Sequence, residues 1–130
     1  MTRVLIISLV AIGLGAGVAS AQGKQASPVD GKAMYKSYCA ACHGIDGKGN
    51  GPAAPAFKTA PADLTKISAR NGGTFPDTKV RRYIQGLDEV AAHGSREMPM
   101  WGDYFNSVEN RETTQIRVNN LAQYIKSLQQ

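Results

Sequence analysis

The chain has 130 residues, with 15 Lys and Arg against 10 Asp and Glu, a formal charge of +5. That surplus is mild and contains no dense basic run, which argues against nucleic acid as a partner. With 7 % aromatic residues, 14 glycines, 6 prolines and two cysteines, the side chains alone offer a thin core and no spare thiols for a structural disulfide.

The first segment reads as a secretory signal peptide over residues 1–21. Met1-Thr2-Arg3 is a short positive region, Val4 to Val18 is apolar with one serine, and Ala19-Ser20-Ala21 is an A-x-A cleavage site. The apolar run falls short of the roughly 20 residues of a spanning helix, so cleavage is favoured over anchoring. No later stretch is long or apolar enough to span a bilayer, so the mature chain has no transmembrane segment and is expected in the periplasm. Mature protein then starts at Gln22 and carries 14 basic and 10 acidic residues, a formal +4. Its 109 residues suffice for one domain. Residues 22–29 are predicted to be a flexible leader to a domain spanning 30–130.

Asp30 is placed to cap a helix running through Lys32, Tyr35 and Tyr38 into Cys39. Met34 is read as a packing residue on it. The helix ends in Cys39-Ala40-Ala41-Cys42-His43, a C-x-x-C-H pentapeptide that marks covalent attachment of a c-type haem. Two thiols three positions apart on one helical turn can each form a thioether to a haem vinyl group. The histidine that follows is then placed to ligate iron from one face. A covalent haem would supply the apolar centre that the composition lacks, and the haem-free chain is expected to fold poorly. Half a zinc site and a redox dithiol are the other uses of C-x-x-C. The first lacks a second pair of ligands, and the second lacks a surrounding βαβ pattern.

Gly44 stops the helix, and a loop is predicted to about Pro61, rich in Gly and Pro between Gly47 and Pro55. Asp63 caps a short helix over Leu64 to Arg70, closed by Asn71-Gly72-Gly73. Asp77 caps another, with Val80, Tyr83, Ile84 and Leu87 on one stripe and Gly86 near its end. Residues 88–105 are predicted to be a second loop, holding Met98-Pro99-Met100-Trp101-Gly102. The last helix runs from about Glu109 to Leu128, with Leu121, Tyr124, Ile125 and Leu128 on one face. No alternating strand pattern and no internal repeat is present, so the fold class is all-α with four to five helices around one haem.

These features together resemble the class I cytochrome c family, in its small bacterial monohaem members, over nearly the whole mature chain. An early attachment site is followed by a late Met-Pro loop, 55 residues after His43. Gly31 and Tyr35 match the family's G-x-x-x-aromatic pattern, and Leu121 and Tyr124 match its L-x-x-aromatic pattern. The resemblance implies that the terminal helices cross at these residues. It also implies that the turn at Gly51-Pro52 offers a carbonyl to the Nδ1–H of His43, with Pro55 the other candidate for that role. The family's sixth iron ligand is the methionine of Met-Pro, here Met98. Met100 and His93 are the alternatives, with haem-edge packing and an ordinary loop position as their other uses.

Trp101 is expected to pack on the haem rim with its N–H toward a propionate, or to be a plain core tryptophan. Arg81, Arg82 and Arg96 are read as solvated surface charges, propionate neutralisation being their other use. Phe57, Leu64 and Ile67 are haem-wall or core residues. The implied function is one-electron transfer by a single covalent haem c between redox proteins. The partner would be a terminal oxidase, a periplasmic dehydrogenase or a membrane oxidoreductase complex. No acid, base or nucleophile constellation accompanies the site, so the protein is read as a carrier and not an enzyme. The competing reading is a sensor or peroxidase-like haem protein with a labile sixth ligand.

Overall fold

A computed structural model describes residues 29–88 and 98–130. The expected signal peptide and most of the leader lie outside the described residues, as do His93 and Arg96. Within the described residues there are six α-helices and no strand, in agreement with the all-α expectation. They are α1 (Gly31–Tyr38), α2 (Ala40–His43), α3 (Ile67–Arg70), α4 (Asp77–Gln85), α5 (Trp101–Val108) and α6 (Arg111–Ser127).

The first and last helices make the frame. Asp30 caps α1, its carboxylate accepting the Ala33 N–H at 2.7 Å. Gly31 then lies directly on α6, where a Cβ would collide with the Asn120 carbonyl and stand 3.2 Å from Tyr124 Cβ. One turn later Tyr35, fully buried, places its ring 5.2 Å from that of Tyr124. Glycine lets the backbones close and the aromatic pair fills the space beside the crossing. Leu121 and Ile125 are buried on the α6 side of the same contact.

Two other helices complete the core. Helix α4 buries Val80 and Ile84 and stops at Gly86, which adopts the left-handed conformation at φ 78. That stop ends the apolar stripe early, so Leu87, expected on it, is exposed. Asp77 was expected to cap α4, but Pro76 precedes the first turn without a side-chain cap and Asp77 sits inside it. Its carboxylate is spent on α6, with Lys126 Nζ at 3.1 Å and Gln123 Nε2 at 3.2 Å.

The segment 88–105 departs from the expected loop, because α5 begins at Trp101. Pro99 and Gly102 argue against helix on propensity, yet burial of Gly102 and Phe105 against the other helices outweighs it. Helix α6 starts at Arg111, close to the expected Glu109, and is capped by Asn110. Glu109 turns instead to Arg117, which is buried, pairs with it through two nitrogens, and covers the Phe105 ring at 5.6 Å.

Candidate functional site

The C-x-x-C-H segment sits where α1 breaks into α2. Cys39 closes α1, and its carbonyl then receives the N–H groups of Cys42 at 3.2 Å and His43 at 2.9 Å. The two thiols and the imidazole therefore belong to one helical turn, the arrangement the motif predicts. No disulfide joins the two cysteines. Burial, with Cys42 close by, pushes the Cys39 thiol up to about 12.

A four-residue helix leaves its last carbonyls without partners, and the glycine-rich loop supplies them. Gly49 N–H donates to His43, Gly51 N–H to Cys42 and Ala53 N–H to Ala41, at 2.8, 3.1 and 2.9 Å. Only glycine fits at 51, since a Cβ there would stand 2.6 Å from the Ala40 carbonyl. Tyr35 adds a further brace from α1, its hydroxyl donating to the Gly44 carbonyl at 2.8 Å. The turn that presents His43 is thus fastened by backbone on the loop side and by the Tyr35 hydroxyl on the α1 side.

The imidazole is oriented by a residue the sequence did not announce. His43 Nδ1 donates to the carbonyl of Ala62 at 3.0 Å. A carbonyl oxygen can only accept, so the proton sits on Nδ1 and Nε2 carries the lone pair in the neutral ring. The expectation that Gly51-Pro52 or Pro55 would provide this acceptor is corrected here. The N–H groups of Gly49, Gly51 and Ala53 tie this loop to α2, and the Gly51 carbonyl is taken by Ala54 N–H at 2.9 Å. The chain therefore makes a second pass before reaching His43. Leu64 N–H on Gly47 at 2.6 Å and the Asp63 cap on Thr65 at 2.8 Å hold that pass in place. Pro52 is exposed and lines an open groove of about 500 Å³ with Lys36, Ala41, Ile45 and Asn50.

The Met-Pro segment leads into α5. Met98 and Met100 are 37 % and 38 % exposed, so accessibility does not separate them. Trp101 is half-buried in an aromatic cluster, its ring 5.2 Å from Tyr38 and 6.1 Å, stacked, from Phe105. Tyr38 directly precedes Cys39, so this cluster ties the attachment turn to the Met-Pro segment. Leu64 and Ile67 pack against the core while staying partly exposed, and Phe57 is half-buried. Arg82 pairs with Asp88 through two hydrogen bonds at the surface, consistent with its reading as a solvated charge.

These residues fit a covalent haem. Two unpaired thiols on one turn, a histidine whose Nδ1 proton is already committed, and a methionine segment anchored near the same turn form the donor set such a group needs. Residues 26–125 match the family model described as cytochrome C oxidase, cbb3-type, subunit III. The chain belongs to this family of c-type cytochromes. No curated protein and no solved structure matches it. Membership in this cytochrome family brings covalently bound haem c and haem-based electron transfer. Among the described residues of this cytochrome, no helix is long and apolar enough to cross a membrane.

Proposed function

We propose that this cytochrome is a periplasmic one-electron carrier with a single haem c, attached at Cys39 and Cys42 and ligated by His43 and Met98. The observation that carries the reading is the His43–Ala62 hydrogen bond, which fixes ring orientation and tautomer and leaves Nε2 as the donor to iron. When present, the haem supplies the Fe(III)/Fe(II) couple.

The protein's own residues supply rigidity. Gly49, Gly51 and Ala53 brace the attachment turn from the loop side, and Tyr38 with Trp101 braces it from α5. A site held this way changes little between oxidation states, and small rearrangement is what a carrier needs. Residues 1–21 serve as the export signal, and residues 22–29 as the leader.

The partner is a redox protein. The family description names an oxidase subunit, and this favours an oxidase complex over a periplasmic dehydrogenase.

Expression in a host that matures c-type haem tests the proposal. The isolated protein is expected to begin at Gln22, to keep one haem per chain after denaturation, and when reduced to refuse carbon monoxide. Haem released on denaturation, or ready binding of carbon monoxide, would contradict covalent attachment or a closed sixth position respectively.

A further inference from the structure

The segment carrying Met98 is fixed on its C-terminal side by two glycines from different helices. At Gly86, the left-handed stop of α4, a Cβ would stand 2.5 Å from Met100 Cγ and 2.7 Å from Met100 Cβ. At Gly102, in the first turn of α5, a Cβ would stand 2.8 Å from the Gln85 carbonyl oxygen and 3.1 Å from Gln85 Cα. The end of α4 and the start of α5 are therefore pressed together, with the Met100 side chain lodged between them. The Met100 carbonyl meanwhile receives the Tyr104 N–H at 3.3 Å in the first turn of α5. Residues 100 to 102 are all seated on fixed structure. Met98 lies just upstream, across a proline whose ring fixes its own φ and restricts the residue before it.

We infer that Met100 and Gly86 are positioning residues for the axial sulfur. Met100 fills the space that glycine leaves at position 86, and that contact sets where Met98 presents its thioether. The inference rests on the reading of Met98 as the sixth ligand. It explains why two methionines stand two residues apart with different duties. It also explains why position 86 needs glycine for a reason beyond its positive φ. A bulkier residue there would push Met100, and Met98 with it, away from their place.

The consequence is measurable as an open fraction. An external ligand binds only when the sulfur is off the iron, so its apparent affinity scales with the population of the open state. Imidazole titration of the ferric holoprotein reads this directly, alongside the weak far-red sulfur-to-iron band. Gly86→Ala is expected to tighten apparent imidazole binding on the order of tenfold while the covalent haem is retained. Adding Met100→Gly to Gly86→Ala removes the colliding side chain, at a helix N-terminus where glycine is tolerated. It is expected to bring the affinity back toward the parent's.

Met100→Gly alone tests the contact from its other side, even if Gly86→Ala does not fold. It is expected to keep the far-red band and to tighten imidazole binding several-fold. Unchanged imidazole affinity in Met100→Gly, or in a folded Gly86→Ala, would overturn the positioning role and leave the Met98 assignment standing. Loss of the band in Met100→Gly with its survival in Met98→Ala would overturn both, since Met100 would then be the ligand.

Discussion

Gly49 and the Pro61-Ala62 segment stand in backbone contact. A Cβ at Gly49 would lie 3.1 Å from the Pro61 carbonyl carbon and 3.4 Å from the Ala62 carbonyl carbon, beside the very carbonyl that accepts from His43. The glycine loop and the imidazole are thereby coupled through one peptide. Gly49→Ala, which also strains a backbone at φ 80, is expected to push Ala62 away from Nδ1. A histidine that loses this bond becomes a less basic ligand and stabilises ferric iron less. The reduction potential of the holoprotein should rise, whereas added solvent at the haem would lower it. An unchanged or lower potential in a redox titration would show that Ala62 does not tune the ligand.

The helix crossing carries much of the stability. Gly31→Ala puts a methyl group into the Asn120 carbonyl, and overpacking of this kind costs about 2–3 kcal/mol. Chemical denaturation of the holoprotein should show that loss as a lower midpoint with unchanged slope. A midpoint matching the parent's would mean the two helices separate freely at this point.

Phe105 has no exposed surface and sits between Trp101 and Arg117. Truncation by Phe105→Ala should cost about 3–5 kcal/mol, a loss a surface loop residue would not give. Thermal or denaturant unfolding measures it, and a change within a few tenths of a kcal/mol would argue that α5 is not packed on the core.

Acid sensitivity should depend on Asp77. The Lys126 ammonium, bonded to its carboxylate across the α4–α6 contact, holds that carboxyl below the usual carboxylate range. The folded-state value is depressed, so the stabilisation is present above the ordinary carboxylate value. It is lost as pH falls through the lowered one. Asp77→Asn should therefore lower stability at neutral pH and flatten its decline in acid. Parallel stability–pH curves for parent and variant would remove the pair from the account.

Much of this was legible in the residues. The attachment pentapeptide, the Asp30 cap, and the pairing of Gly31 and Tyr35 with Leu121 and Tyr124 all carry side-chain signals that the structure places as expected. Helix α5 was not legible, because Pro99 and Gly102 read as loop while the burial of Phe105 that overrides them is a tertiary fact. Ala62 was invisible for a different reason. Its contribution is a backbone carbonyl, which every residue has, and only the second pass of the chain at Gly47 and Leu64 brings it to His43. Met98 and Met100 were likewise inseparable by pattern, and the contact of Met100 with Gly86 is again a tertiary fact.

The central claim is a closed His43/Met98 site, and the oxidised visible spectrum of the holoprotein beside that of Met98→Ala tests it most directly. The parent should show the weak far-red sulfur-to-iron band and the variant should lack it while keeping its covalent haem. Survival of the band in Met98→Ala, or its absence from the parent, would contradict the account.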